Sequence, residues 1–110
     1  MFGNKYHSRK TTIDGITFDS RKEANYYCQL RMLLKGKVIK GFRRQVKFEL
    51  QEGYTRNGEK VRPIYYVADF VVEYKDRVEV VDVKGMRTDV YKLKKKLLLK
   101  KYPEMIFVEV

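Results

Sequence analysis

Residues 64–85 read Ile64-Tyr65-Tyr66-Val67-Ala68-Asp69-Phe70-Val71-Val72-Glu73-Tyr74-Lys75-Asp76-Arg77-Val78-Glu79-Val80-Val81-Asp82-Val83-Lys84-Gly85. Two runs dense in β-branched and aromatic residues flank a short polar turn, which is the pattern of a β-hairpin. A two-residue loop at Lys75-Asp76 pairs Tyr74 with Arg77, so that opposite residues sum to 151 and Asp69 faces Asp82. Side chains alternate along a strand, so regular strands would put Asp69, Asp82 and Lys84 on one face. A three-residue loop would move Asp69 to the other.

Upstream, Asp14-Gly15 between Thr12-Ile13 and Ile16-Thr17-Phe18 reads as a small hairpin. Ser20 then caps a helix over residues 21–35 that Gly36 stops. Residues 38–50, with Val46, Phe48 and Leu50 alternating with Lys47 and Glu49, predict a strand. Residues 51–59, with Gly53 and Asn57-Gly58, predict a turn region. Downstream, Thr88 caps a helix over residues 89–101 whose stripe Val90, Leu93, Leu97 and Leu98 predicts the core-facing side. Pro103 ends it, and residues 105–108 form a last strand. The expected fold is one α/β domain, a central mixed sheet flanked by helices, in the order hairpin, helix, three strands, helix, strand. It spans residues 12–110 behind a basic arm, residues 1–11.

The chain of 110 residues carries 25 Lys plus Arg against 14 Asp plus Glu, a formal charge of +11, which favours a polyanionic partner. Apolar residues at 44% and charged residues at 35% exclude both a disordered tail and a coiled coil. No apolar run approaches the roughly 18 residues of a membrane span, and no secretory leader is evident, so the expected location is the cytoplasm, with no membrane partner. One Cys and one His exclude an internal disulfide and a Cys/His zinc set.

The charge is segregated. Residues 1–47 carry a net +9, residues 48–83 a net −3, and residues 84–101 a net +7. A purely electrostatic nucleic-acid binder has no need of an acidic middle, whereas a phosphodiester-cutting site does, because a divalent metal must sit where phosphate will come. Asp69 opposite Asp82 repels unless something positive lies between. Lys84 is one candidate. The other is a hard cation held by Asp69, Asp82, the Val83 carbonyl and water. Glu23 is a third acid that can point to the sheet, although Ser20-Arg21-Lys22-Glu23 also fits a capping box.

Glu23 on the first helix, Ala68-Asp69-Phe70 on one strand and Val81-Asp82-Val83-Lys84-Gly85 on the next resemble the PD-(D/E)XK nuclease superfamily. The closer likeness is to a small phage-associated branch that resembles Holliday-junction resolvases. The resemblance covers most of the chain in element order. Ala68 stands where the family name has Pro, and Asp82 is one methylene shorter than Glu. What the resemblance implies is a restriction-endonuclease-like fold and an Mg²⁺-dependent endodeoxyribonuclease, with Mn²⁺ as substitute, acting on branched DNA in phage recombination or replication. Asp69 and Asp82 would bind metal, Lys84 would be the active-site lysine and Glu23 the helix-borne acid. A phage-encoded copy would work in the host cytoplasm, and resolving a junction by two symmetric cuts implies a homodimer.

Plainer readings stand beside these. Asp82 and Lys84 could form an ordinary strand ion pair, and the helix lysines could be a solvated face. Their excess over acidic partners favours phosphate contact instead, with Arg87, Lys92, Lys94, Lys95 and Lys96 as candidates. The tyrosines read as sheet packing, Cys28 as a small buried hydrophobe, His7 as part of the arm, and Gln45 as a polar auxiliary at most. The competing function is a non-catalytic DNA-binding or recombination accessory protein. An RNA-binding module has less support, since neither an RNP-type aromatic signature nor a G-x-x-G clamp is present.

Overall fold

The computed structural model describes residues 10–83 and 85–110. His7, most of the basic arm and Lys84 therefore lie outside the described residues. The opening hairpin joins β1 (Thr11–Ile13) to β2 (Ile16–Phe18). Asp14 and Gly15 carry its turn in the left-handed region, with φ of 55° and 78°. Thr11, placed in the arm by the sequence, pairs with Phe18.

Helix α1 (Arg21–Lys35) has the expected bounds. Ser20 accepts the Glu23 amide at 3.1 Å, satisfying one of the four orphan N–H groups of the first turn. At the other end Lys37, not Gly36, takes the left-handed conformation. Its amide bonds the Leu34 carbonyl and the Val38 amide the Leu33 carbonyl, the two bonds of a Schellman stop.

The main sheet has the order β3 (Gly41–Gln51), β6 (Ile64–Glu73), β7 (Val78–Asp82), β8 (Ile106–Glu109). The first three are antiparallel, and β8 is parallel to β7 across helix α2 (Asp89–Lys101), so the sheet is mixed. This is the single α/β domain the pattern of elements implies.

Two boundaries differ from expectation. Residues 38–40 precede β3 instead of opening it, because the helix stop occupies the Val38 and Ile39 amides. The stretch expected as turn holds a second small hairpin, β4 (Tyr54–Arg56) with β5 (Glu59–Val61), closed by Asn57-Gly58 at φ of 50° and 81°.

Each sheet face has its own core. Ala24, Tyr27 and Leu30 of α1 pack with Phe18 on Phe70, Val72, Val81 and Val83. Tyr91 and Leu98 of α2 pack on Tyr66, Ala68, Val71 and Val80. The stripe expected to anchor α2 is a correction: Leu98 is buried, but Val90, Leu93 and Leu97 are exposed. Tyr91, one position from Val90, takes the inner place because its ring meets Tyr66 and its hydroxyl meets Glu109. No helix among the described residues is long and apolar enough to cross a membrane.

Candidate functional site

The hairpin register is the expected one. Tyr74 donates to the Arg77 carbonyl at 2.8 Å, and the pairs Val72 with Glu79 and Phe70 with Val81 keep the sum of 151. What breaks is the alternation of faces. On β6, Tyr66 and Ala68 face α2, yet Phe70 and Val72 face α1. On β3, Val46, Phe48 and Leu50 pack toward α2, yet Phe42 packs toward α1. Both strands therefore turn over at the same place, between the pairs Arg44 with Phe70 and Val46 with Ala68. The residues at the turnover are Gln45 and Asp69, and Gln45 has a φ of 51°. A non-glycine residue in that region within a strand is strained, and such strain persists only where its surroundings fix it.

The turnover explains why β6 and β7 part. β7 keeps its alternation, with Val80 toward α2 and Val81 and Val83 toward α1, so β6 can no longer match it beyond Phe70. In a continued ladder the Val83 amide would meet the Ala68 carbonyl. It donates instead to Asp69 Oδ2 at 2.9 Å. A side-chain carboxylate thus fills a backbone place, and the two strands open into a fork with Asp69 on one arm and Asp82 on the other.

Glu23 reaches this fork from α1. Its carboxylate turns to the sheet, where Oε2 accepts from Gln45 Nε2 at 3.2 Å and lies 3.9 Å from Arg44 Nη2. The same Gln45 nitrogen is 3.5 Å from Asp69 Oδ1, so one amide spans both acids. Arg44 is itself braced over the Phe18 ring at 4.6 Å. Burial pushes the Glu23 carboxyl up to about 7, helped by the charge of Asp69 and more weakly by Asp19 and Asp82, while Arg44 pulls the other way.

Asp82 is 1% exposed. By alternation it lies on the α2 side with Val80, and its charge helps burial raise the Tyr91 hydroxyl. Asp69 and Asp82 therefore do not stand side by side on one flat face, as regular strands would have them. They gather at the fork because Asp69 sits at the turnover. Glu23 and Asp69 are bridged by Gln45, Asp69 holds the Val83 amide, and the charge of Asp82 reaches Glu23 more weakly, while Lys84 lies outside the described residues.

Among the described residues, no three His, Cys, Asp or Glu side chains form a ready-made metal cluster. Mg²⁺ does not require one, since it is commonly held by one or two carboxylates with waters and substrate phosphate. Asp69, Asp82 and the Val83 carbonyl are oxygen donors of that kind. Burial is the main cause of the raised Glu23 carboxyl, and the added repulsion from Asp69 and Asp82 is the part that a cation would relieve.

Of the basic residues assigned to DNA, two are committed elsewhere. Glu109, beside Asp82 in register, accepts from Arg87 Nη2 at 2.6 Å and Nε at 3.1 Å, from the Tyr91 hydroxyl, and from Lys95 at 3.4 Å. The Arg87 and Tyr91 hydrogen bonds hold the Glu109 carboxyl down at about 2. Lys92 and Lys96 are exposed, and Lys94 is half-buried.

Sequence reasoning passed over Arg44 and Glu109 and gave Gln45 only a minor part. The available signal was in β3, where Arg44 and Gln45 interrupt the apolar positions Phe42, Val46, Phe48 and Leu50.

A search of curated proteins and one of solved structures found no significant match. A family described as protein of unknown function, DUF1064, matches residues 3–109. The chain thus belongs to the DUF1064 family.

Proposed function

We propose that this protein is a metal-dependent endodeoxyribonuclease whose site is the fork between β6 and β7, with branched DNA such as a Holliday junction as substrate. The observation that carries the reading is the strained Gln45, whose amide reaches toward both Glu23 and Asp69 where the two strands separate. Strain and clustered carboxylates at one point are costly for a purely structural sheet and useful for a reaction.

In this reading Asp69, Asp82 and the Val83 carbonyl would hold Mg²⁺, or Mn²⁺ in its place. When bound, the ion supplies Lewis-acid stabilisation of the phosphoryl oxygens and a more acidic attacking water. Gln45 keeps Glu23 and Asp69 in their relative positions. Glu23, which reaches the fork from α1, is placed to take up a proton of the water that attacks in line. Lys84 would offset the charge that grows on phosphate. Lys92, Lys94 and Lys96 would hold the DNA backbone, and Arg87, fixed by Glu109, would present its outer edge to it.

The test is cleavage of end-labelled four-way junction, duplex and single-stranded DNA with Mg²⁺, Mn²⁺ or EDTA, comparing wild type with Asp82→Asn. Symmetric, metal-dependent junction cuts lost in Asp82→Asn support the reading. Cuts on other substrates would remove the junction specificity alone. Binding of every substrate without cleavage, equal in the variant, would replace the nuclease with a DNA-binding accessory protein.

A further inference from the structure

Beside the fork, on the α1 side of the sheet, lies a cleft of about 340 Å³ lined by Lys22, Asn25, Tyr26 and Gln29 of the helix and by Val83 and Val110, which follow β7 and β8. Its volume falls within the roughly 300–1,000 Å³ of small-ligand sites, at the small end. The four helix residues keep the three- and four-residue spacing of one face, so the exposed amides of Asn25 and Gln29 stand one turn apart over the same opening. Lys22 adjoins Glu23 and lies at the end of the cleft nearest the acids. Both strand walls are tied to the fork. The Val83 amide donates to Asp69 Oδ2 at 2.9 Å, and the Val110 amide donates to the Asp82 carbonyl at 3.0 Å. Half-buried Tyr26 is braced by Phe70, with ring centroids 5.4 Å apart. The chemistry of the fork uses none of these four α1 side chains.

We infer that this cleft receives an unpaired nucleobase of the DNA strand whose phosphate lies at the fork, an inference that rests on the nuclease reading for the position of that phosphate. The lining chooses the occupant. Phosphate is held by several cationic or N–H donors, whereas the cleft offers one ammonium and two neutral carboxamides. A carboxamide carries a donor and an acceptor in one plane, which complements the edge of a base and pairs bidentately with adenine. Tyr26, Val83 and Val110 give the base an apolar wall. An apolar peptide segment would cover both carboxamides and leave them without partners. A base inside a duplex cannot enter, so the base must leave its stack, at a cost that is least where it is already unpaired, as at a branch point. Helices α1 and α2 lie on opposite faces of the sheet. A strand crossing the end of the sheet between them can therefore meet the α2 lysines, set a phosphate at the fork and present the adjoining base to the cleft. The cleft thus selects the nucleotide beside the cut.

The test is a cycle of two deletions, one in the DNA and one in the protein, read by binding. Fluorescein-labelled four-way junctions carrying one unpaired adenine at the branch point, or an abasic site in its place, are titrated by anisotropy against the full chain. Wild type and Asn25→Ala/Gln29→Ala are compared in Ca²⁺, a hard cation for the same oxygen ligands. Both side chains are exposed on a helix and alanine favours helix, so the variant should keep or raise the thermal midpoint. Removing the adenine should weaken binding to wild type about tenfold and should cost the variant nothing further. Equal losses in wild type and variant overturn the inference, and so does the absence of any loss in wild type, even where wild type cuts the junction in Mn²⁺. An intact cycle with no metal-dependent cutting by wild type would support the cleft as a base-binding site and overturn the nuclease reading alone.

Discussion

Gln45 holds a φ of 51° inside an eleven-residue strand and places one amide nitrogen 3.2 Å from Glu23 and 3.5 Å from Asp69. Gln45→Ala and Gln45→Gly both delete that amide, but only alanine keeps a Cβ in the left-handed region. The glycine variant should therefore be the more stable of the two by about 1 kcal/mol in denaturant melts. Equal stabilities would mean that the backbone relaxes and stores no strain there. At Glu23 the sign of the pH effect follows from a folded carboxyl raised to about 7 from an ordinary 4.5. The stability this group contributes is full below 4.5 and is lost as pH rises through 7. Glu23→Gln should then leave the thermal midpoint unchanged near pH 4 and raise it at pH 8. Allowing for solvent screening, the gain at pH 8 is about 1–2 kcal/mol. A midpoint that falls at pH 8 would show that the Arg44 contact outweighs burial.

At the scale of elements, α2 distinguishes inner from outer side chains. Leu98→Ala, which empties a fully buried site, should cost about 2–5 kcal/mol. Leu93→Ala should stay within about 0.5 kcal/mol. Unfolding curves giving comparable losses would return Leu93 to the core. The expected stripe joined Leu98 to Val90, Leu93 and Leu97 and left out Tyr91, although Tyr91 and Leu98, seven residues apart, follow helical spacing equally well and are the pair that is buried. The choice depends on Tyr66 and Glu109, which lie far away in the chain. Elements governed by local chemistry were legible: Ser20 and Gly36 bracket α1, and Lys75-Asp76 sets the hairpin register. Asn57-Gly58 was an equally good signal, but three-residue strands are too short to stand out from a turn region. The fork was only half legible. Its residues could be named from pairing arithmetic, yet the turnover that gathers them requires two neighbouring strands to reverse faces together, which no local pattern expresses.

For the whole molecule, a sheet covered on both faces leaves chemistry to its edges and ends. The acids collect where β6 and β7 separate, the Glu109 cluster ties β8 to the start of α2, and lysines line the outside of that helix. If Lys92 and Lys96 each neutralise a phosphate, replacing both with Ala should reduce the slope of log binding constant against log salt by about 1.8 on duplex DNA. An unchanged slope would place the DNA elsewhere. The most direct test of the central claim is single-turnover cleavage of a four-way junction across a Mn²⁺ titration, with wild type, Asp69→Asn and Asp82→Asn at equal bound fractions. The account predicts saturable cleavage by wild type and a loss of at least about a thousandfold in either variant, with junction affinity retained. Absence of metal-dependent cleavage by wild type, or cleavage undiminished in Asp82→Asn, would contradict it.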